Sequence, residues 1–172
     1  MREGKVRYLG NSNFTGWQVA DAEWKSRTRG LERFVSAQNE YSWLKRGIED
    51  DLVPALEEYG LGLLPFFPLA SGLLTGKYRR GQAPPEGSRL QAWGRESALT
   101  DEAFDVIEGL EAFAASRSVT LLDVAIGGLA AQPAVASVIA GATSREQVVA
   151  NVAAGEWQPS LDDLAELDEL TS

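Results

Sequence analysis

The sequence predicts an α/β fold in which parallel strands alternate with helices. Short apolar segments typical of strands are followed by longer segments with helical spacing, and the first three strands begin about 28 residues apart. This spacing leaves room for a helix in each crossover and indicates a parallel sheet with right-handed connections. No Gly-x-Gly-x-x-Gly motif follows the first strand. An open sheet of four strands is possible, but a section of a (βα) barrel fits better, because all four predicted strand ends carry polar or aromatic residues.

The first part of the chain contains three strands and two helices. We predict strands at 5–10, 34–41 and 61–67, with helices at 14–29 and 48–59 between them. Gly30 and Gly60 follow the two helices, at the position where a glycine commonly ends a helix. The third strand is apolar throughout, as expected of a strand that is covered on both faces.

The remainder of the chain begins with a long loop. Residues 68–99 are rich in Gly and Pro, and a loop of this length in a compact domain is usually functional or mobile. Helices are then predicted at 101–116 and 121–131, a fourth strand at 134–140, and two last helices at 144–154 and 160–170.

Composition limits the classes of function. A chain of 172 residues is expected to form a single domain, 1–172, with its own core. The net charge of −9, without a block of like charges, argues against nucleic acid and anionic membrane as partners. The sequence has no Cys and no His, which removes thiolate chemistry and the commonest general base and metal ligand. No membrane-length apolar run or signal pattern is found, so a cytoplasmic location is expected and no metal site is predicted.

Polar and aromatic residues lie where the predicted strands end. They are Ser12 and Asn13 after the first strand, Gln38 in the second, and Phe66 and Phe67 in the third. In a barrel the carboxyl ends of the strands build the site, and an amide such as Gln38 can both donate to and accept from a ligand amide. Each group also has a structural explanation: a turn, a solvated strand end, or core packing.

The segment 138–147 predicts an anion site. An apolar strand ends at Gly141 and passes into a helix in which Ser144 and Gln147 have capping-box spacing. The free N–H groups and the positive end of the helix dipole favour a bound anion, although a cap alone also explains Ser144. In the long loop, Ser71 and Lys77 are either phosphate contacts or solvent-facing side chains.

Four stretches, in order, resemble the C-terminal half of an aldo-keto reductase. They are Gly4-Lys5-Val6-Arg7-Tyr8-Leu9-Gly10 with Ser12-Asn13-Phe14, then Ala37-Gln38-Asn39-Glu40-Tyr41, then Phe67-Pro68-Leu69-Ala70-Ser71-Gly72-Leu73-Leu74-Thr75-Gly76-Lys77-Tyr78, then Ile139-Ala140-Gly141-Ala142-Thr143-Ser144. The resemblance is strongest to bacterial members related to voltage-gated potassium channel β subunits, and it runs from about residue 4 to residue 170. It implies a (βα)₈ TIM barrel, of which this chain holds the last four βα units as a half barrel. It also implies NADPH-dependent reduction of aldehydes and ketones by the complete enzyme.

The resemblance also implies roles for individual residues. Ser12, Asn13 and Gln38 would hold the nicotinamide carboxamide, and Phe66 would stack on its ring. Phe67, Leu69, Ser71 and Lys77 belong to the segment that passes over the pyrophosphate, so the loop at about 68–99 would close over the dinucleotide. Gly141, Thr143, Ser144 and Gln147 match the segment that binds the adenosine 2′-phosphate, and Asn151 matches a residue near the adenine.

Two departures from the family pattern matter. Many relatives carry Arg or Lys in the 2′-phosphate segment, whereas Arg145 is the nearest cation along this stretch, so the choice between NADPH and NADH stays open. The family's catalytic Asp, Tyr, Lys and His belong to the first four βα units, and this chain is expected to begin at the fifth. Because there is no His, and because Tyr8 and Tyr41 do not match the catalytic tyrosine, no residue is assigned as catalytic.

Three explanations of the missing half are open. The chain is a fragment or split-gene product, or it pairs with itself or with a separate N-terminal half, or it is a stand-alone dinucleotide-binding or interaction module. A small carbonyl substrate is expected only if the missing half is supplied, and Trp43 and Trp93 either line its pocket or pack in the protein. A half barrel would expose two sheet edges and an apolar inner face that includes Val6, Val35 and Leu63, so we expect a dimer or aggregation.

Overall fold

The protein is built around a parallel sheet. The structure is a computed structural model, and it describes residues 1–94 and 96–172. Three strands lie in the order β1 (Leu9–Ser12), β2 (Phe34–Gln38) and β3 (Gly62–Leu63). A fourth segment lies beside β3 through parallel bridges between Leu63 and Val135 and between Phe66 and Ile139. The predicted α/β fold with a parallel sheet is therefore confirmed.

Helices fill most of the connections. The helices, in chain order, are α1 (Gly16–Arg29), α2 (Leu52–Tyr59), α3 (Arg89–Ala92), α4 (Asp101–Ser116), α5 (Leu121–Ala130), α6 (Arg145–Ala154) and α7 (Leu161–Thr171). Short 3₁₀ turns occur at Gly47–Glu49, Ala70–Thr75 and Glu96–Ala98, so part of the predicted loop at 68–99 is helical. Among the described residues, no single helix is long and apolar enough to cross a membrane. Helices α4 and α5 reach the required length and apolar composition only when they are taken together, and the angle between them is 92°.

The strands are shorter than the sequence predicts. Residues 5–8 lie outside β1 and pair with no strand among the described residues. Residues 134–140 pair with the third strand only through isolated bridges. The third strand is interrupted because Pro65 has no N–H to give to the ladder. Its carbonyl still accepts a hydrogen bond from the Ile139 N–H at 2.9 Å.

Helix boundaries follow local chemistry. The predicted helix 48–59 begins only at Leu52, because Pro54 is tolerated in a first turn but would clash with the preceding turn of a longer helix. Gly60 ends α2 with a φ of 68°, and Gly30 ends α1 with a φ of 61°, as predicted.

One face of the sheet carries the core and the other carries small side chains. Ala37 and Leu63 are fully buried in the same core cluster as residues of α2, α4 and α5. The expectation that Leu63 lies on an exposed inner face is wrong, since alternation along the strand turns its side chain into the core. Val6 and Val35 are each 45% exposed, but Val6 lies before β1, and Val35 shares its face of β2 with Ala37 and not with Ser36. Their predicted place on an inner face therefore stays a prediction for Val6 and is not supported for Val35.

Glycine on the opposite face allows neighbouring strands to pack closely. A Cβ atom on Gly10 would lie 2.5 Å from the Ser36 Oγ, and one on Gly62 would lie 2.7 Å from the Ala136 Cβ. Both distances are shorter than real contacts, so a Cβ on Gly62 would push against the fixed Ala136 Cβ, and one on Gly10 would require the Ser36 hydroxyl to turn away.

Candidate functional site

Ser12, Asn13 and Gln38 come together at the carboxyl ends of β1 and β2. Ser12 is in register with Gln38, and its hydroxyl donates to the Gln38 carbonyl at 3.0 Å. The Asn13 N–H donates to the same carbonyl at 3.1 Å, while its side-chain amide donates to the Ser12 Oγ at 3.1 Å. Asn13 adopts a left-handed φ of 58°, which asparagine tolerates better than most residues. The three side chains are exposed and can meet a polar ligand.

Phe66 lies in the middle of the row of strand ends. Its backbone bridges to Glu40 on one side and to Ile139 on the other. Its ring makes an edge contact with Phe67, with ring centroids 5.3 Å apart, and the Phe67 ring lies 6.1 Å from that of Trp93. Both phenylalanines are only partly buried, so the aromatic cluster they form with Trp93 borders the carboxyl edge of the sheet.

A strained turn follows the third strand. Phe67, Ala70, Ser71 and Gly72 have positive φ values of 56°, 45°, 59° and 101°. Non-glycine residues in this region cost on the order of 1–3 kcal/mol each, and they persist where the surroundings fix them. Here the N–H groups of Gly72 and Leu74 both donate to the Leu69 carbonyl, at 2.8 and 3.2 Å. The turn therefore holds Leu69 and the buried Ser71 in one defined conformation.

Lys77 lies across Gly72. The Lys77 Nζ and the Tyr78 hydroxyl would be 3.4 and 3.6 Å from a Cβ atom built on Gly72. Lys77 is exposed, whereas Tyr78 is 3% exposed and its hydroxyl is buried without a hydrogen-bond partner among the described residues. An ammonium group and an unpaired hydroxyl thus lie together beside the turn, a combination that suits an anionic ligand.

Arg89 is a candidate that the sequence did not reveal. Its guanidinium stacks on the Trp93 ring at 5.0 Å and lies beside Gly141, where a Cβ atom would be 3.7 Å from Nη2. Residues of the long loop therefore reach the end of the fourth strand segment. A cation in a Gly- and Pro-rich loop was the available signal, but no spacing rule connects Arg89 to Gly141.

The segment after Gly141 is built around one helix cap. The Ser144 Oγ accepts a hydrogen bond from the Gln147 N–H at 3.3 Å, as the spacing predicts. A capping box would also have the Gln147 side chain accept a hydrogen bond from the Ser144 N–H. The Gln147 Oε1 instead accepts from the Thr143 N–H at 2.8 Å and from the Thr143 hydroxyl at 3.2 Å. The pKa of Glu146 is lowered because its own N–H and the Ser144 hydroxyl donate to its carboxylate. Asn151 lies further along α6 and is partly buried.

The two tyrosines considered from the sequence have different surroundings. Tyr8 is 73% exposed, and the buried Tyr41 hydroxyl donates to Glu49 at 2.6 Å. Burial, together with the hydrogen bond to Glu49, raises the pKa of Tyr41. The described residues also contain no group of three or more potential metal ligands. The expectation that the chain has neither catalytic nor metal-binding residues stays a prediction.

The two tryptophans considered for a substrate pocket differ in how deeply they are buried. Trp43 is 1% exposed, donates its Nε1–H to the Val124 carbonyl at 2.9 Å, and packs against Gly128. It also borders a cavity of about 470 Å³ that extends to Arg46, Ser71 and Leu90. Trp93 is 49% exposed and belongs to the aromatic cluster. Trp43 is therefore a core residue that also touches a cavity.

Comparison with known proteins gives a consistent result. The sequence profile of the Aldo/keto reductase family matches residues 1–172. The chain is 34% identical over 163 residues to a probable voltage-gated potassium channel subunit beta of Oryza sativa subsp. japonica, covering 92% of this chain and 49% of that protein. It is 33% identical over 168 residues to Protein tas of Escherichia coli (strain K12), covering 97% of this chain and 48% of that protein.

An aryl-alcohol dehydrogenase of Pestalotiopsis microspora is 28% identical over 173 residues, with 98% of this chain and 42% of that protein covered. The chain spans about half the length of the curated relatives it matches. The profile match covers every residue, and the parallel α/β sheet agrees with it. The chain belongs to the aldo/keto reductase family.

Proposed function

We propose that this chain is the dinucleotide-binding half of an NAD(P)H-dependent aldo-keto reductase and holds the last four units of a (βα)₈ barrel. The complete enzyme would reduce aldehydes or ketones to alcohols. The coverage of about half of each relative supports this division. So does the absence of His from the sequence, because the family's acid–base group includes a histidine.

The observation that carries the proposal is the position of the Arg89 guanidinium beside Gly141, at the same sheet edge as Ser12 and Gln38. A nicotinamide dinucleotide has a neutral amide at one end and phosphates along the rest of its length. The ends of β1 and β2 offer amide and hydroxyl groups, which suit the carboxamide. The segments after β3 and after the fourth strand offer Lys77 and Arg89, which suit phosphates.

The residues of this chain would bind and orient the dinucleotide. When bound, a dihydronicotinamide supplies the hydride that reduces a carbonyl carbon. Phe66 would support one face of its ring, and Ser12, Asn13 and Gln38 would fix the rotation of the ring through its carboxamide. Since no residue here is assigned to protonate the carbonyl oxygen, turnover would need a second polypeptide segment with the acid–base residues.

NADP is the expected dinucleotide, and NAD is the alternative. Arg89 adds a cation beside Gly141, which supports binding of a phosphorylated adenosine. The Glu146 carboxylate lies at the start of α6 and already accepts from Ser144, which opposes a second anion there. Comparison of the two dinucleotides therefore belongs in the first experiment.

The test is a titration of residues 1–172 with NADPH and, in parallel, with NADH. Energy transfer from the five Trp residues reports binding, and calorimetry checks the variants because Arg89 touches Trp93. Arg89→Ala should weaken NADPH binding by about tenfold or more, the loss expected for a charge-assisted contact. Arg29→Ala, at the last residue of α1, is the matched control and should bind like the wild type. Saturable binding that Arg89→Ala leaves unchanged would contradict the proposed site.

A second assay separates a half enzyme from a non-catalytic module. The chain is mixed with the N-terminal half of Escherichia coli Protein tas, and the absorbance of NADPH is followed with an aromatic aldehyde. Oxidation of NADPH in the mixture, and in neither half alone, is the expected result. Dinucleotide binding without oxidation in any mixture would favour a binding or interaction module. The cytoplasmic location and the absence of nucleic acid and membrane partners stay predictions.

A further inference from the structure

Gln38 and Asn39 are consecutive amide residues at the end of β2, and their side chains lie on opposite faces of the sheet. Side chains alternate between the two faces along a strand, so Asn39 shares its face with the fully buried Ala37, and Gln38 lies on the other face. Gln38 is exposed, whereas Asn39 is 7% exposed. The first amide is therefore available to a ligand, and the second is available to the protein.

The Asn39 side chain holds the turn after β1 (residues 13–15). Its Nδ2–H donates a hydrogen bond to the Phe14 carbonyl at 3.1 Å. Phe14 directly follows Asn13, which has a left-handed φ of 58° and donates through its side-chain amide to the Ser12 Oγ. The N–H of Asn13 is already bonded to the Gln38 carbonyl at 3.1 Å. Asn39 fixes the backbone on the other side of Asn13, so it limits the positions that the Asn13 amide can take.

The backbone of Asn39 holds the third strand at Phe66. The Asn39 carbonyl accepts a hydrogen bond from the Phe66 N–H at 3.0 Å, and Glu40 forms a parallel bridge to Phe66. The Tyr41 N–H donates to the Phe66 carbonyl at 3.3 Å. Both backbone polar groups of Phe66 are thus fixed from this side. Asn39 is hydrogen-bonded both to Phe66 and to the turn after β1.

The proposed dinucleotide site has two ends, and Asn39 belongs to one of them. The nicotinamide end contains Ser12, Asn13, Gln38 and Phe66, and the phosphate end contains Lys77, Arg89 and Gly141. The Asn39 side chain donates to the turn at the nicotinamide end and makes no hydrogen bond with the three residues of the phosphate end. A change at Asn39 should therefore affect one end of the site and not the other.

We propose that Asn39 is a positioning residue for the nicotinamide end of the dinucleotide. It is too deeply buried to touch the ligand, and it holds the turn after β1 and Phe66 in one arrangement. Binding groups that are already in place increase affinity, because less freedom is lost when the ligand binds. This inference rests on the proposed function, in which Ser12, Asn13 and Gln38 hold the carboxamide.

The variant Asn39→Asp tests this role with two ligands. Aspartate keeps the size of the side chain but replaces the Nδ2 donor with an oxygen, which repels the Phe14 carbonyl. Calorimetry measures the binding of NADPH and of adenosine 2′,5′-bisphosphate, which carries phosphates but no nicotinamide. We expect the affinity for NADPH to fall about tenfold or more, while the affinity for the bisphosphate stays at the wild-type value. A residue that acted on overall stability alone would change both affinities or neither.

The fluorescence of bound NADPH gives a second readout. Its emission comes from the dihydronicotinamide ring, so time-resolved anisotropy at saturating protein reports how firmly that ring is held. We expect a faster decay of the anisotropy in Asn39→Asp than in the wild type. Equal decays in the two proteins would show that Asn39 does not position the ring and would overturn the proposal.

Asn11→Asp is the matched control. Asn11 is also 7% exposed, and its Nδ2–H donates to the Ser36 carbonyl at 3.4 Å. In both Asn11 and Asn39, the Oδ1 atom is buried without a hydrogen-bond partner among the described residues. The Asn11 side chain is not bonded to the turn after β1 or to Phe66, so both ligands should bind to Asn11→Asp as to the wild type.

Circular dichroism verifies the fold of each variant. If the buried carboxylate prevents Asn39→Asp from folding, Asn39→Ala and Asn11→Ala take the place of the pair. The expected results are the same, since alanine also lacks the donor to the Phe14 carbonyl.

The outcomes separate this inference from the proposed function. An equal loss of affinity for NADPH and for the bisphosphate in the Asn39 variant, or an equal loss of NADPH affinity in the Asn39 and Asn11 variants, would overturn the role of Asn39. A wild type that binds the two ligands equally well would retain the phosphate end of the site and also overturn this role. A wild type that binds neither ligand would overturn the proposed function, and the role of Asn39 with it.

Discussion

The Arg89 guanidinium lies beside Gly141, so that a methyl group on Gly141 would be 3.7 Å from Nη2 and 3.8 Å from Nη1. These are ordinary van der Waals distances, and the protein without ligand can accept an alanine there. The Arg89 side chain thus brings the long loop beside the residue that follows the fourth strand segment.

Gly141→Ala is expected to weaken dinucleotide binding while leaving stability almost unchanged. The added methyl group would lie between Gly141 and Arg89, where the proposed function places a phosphate, whereas its contacts in the free protein are relaxed. The free energy of unfolding should change by less than about 0.5 kcal/mol, as for most surface substitutions. Urea unfolding and NADPH calorimetry measure the two effects. Unaltered binding would place the dinucleotide away from Gly141.

Gly72→Ala is expected to destabilise the fold. Gly72 has a φ of 101°, which alanine rarely adopts, and its Cβ would meet the Lys77 side chain at 3.4 Å. We expect a loss of about 1–3 kcal/mol in the free energy of unfolding. Gly47→Ala is the matched control, because a Cβ atom there has no heavy atom within 4 Å and the backbone is not in the left-handed region. Equal effects of the two substitutions in urea unfolding would contradict the strained turn.

Trp43→Phe tests whether Trp43 is a packing residue. The substitution removes the donor to the buried Val124 carbonyl and leaves space beside Gly128. The Val124 carbonyl keeps its place in the hydrogen bonding of α5, so the loss comes from the side-chain hydrogen bond and from the space left by the smaller ring. Thermal and urea unfolding should both show destabilisation of about 1–3 kcal/mol. Affinity for NADPH should stay at the wild-type value. A stable variant with altered ligand binding would assign Trp43 to a ligand pocket instead.

Asp163 should make stability depend on pH in the acid range. Hydrogen bonds from Arg117 and then from the Ser160 N–H and hydroxyl lower the pKa of Asp163 from 3.8 to about 2. Because the folded-state pKa is lowered, the stabilisation is present above pH 4 and is lost as the pH falls toward 2. Allowing for solvent screening, Asp163→Asn should remove about 1 kcal/mol at neutral pH and much less near pH 2.

Unfolding of Asp163→Asn at a series of pH values, compared with Asp162→Asn, measures this contribution. Asp162 is the exposed neighbour and forms no ion pair within the described part of the chain. A destabilisation by Asp163→Asn that is the same at neutral and acid pH would contradict the electrostatic origin.

Local signals in the sequence predicted the fold well. Helix 101–116 was predicted with the observed bounds, and Gly30 and Gly60 end their helices as expected. The errors have identifiable causes: Pro54 delays α2, and Pro65 interrupts the third strand. Leu63 was placed on the wrong face because an entirely apolar strand has no alternation from which its buried side can be read.

The site was predictable only where neighbouring strand ends build it. Parallel strands bring Ser12 and Gln38 together, and the cap at Ser144 follows from spacing alone. The sequence did not predict that Arg89 lies beside Gly141 or that Trp93 lies beside Phe67. A long loop can adopt many conformations, and no local sequence pattern specifies its contacts. Gln147 also differs from the predicted capping box, because its side-chain oxygen accepts a hydrogen bond from the Thr143 N–H instead of the Ser144 N–H.

Residues 1–33, which include α1, contain seven Lys or Arg and four Asp or Glu, whereas residues 134–172, which include α7, contain one Arg and seven Asp or Glu. Charge is therefore unevenly distributed in a molecule whose net charge is −9. A solid support bearing fixed ammonium groups would therefore adsorb the chain by its acidic pole and leave the basic pole facing the liquid. In this single orientation, helix α7 would face the support, because five of those seven acidic residues lie on it.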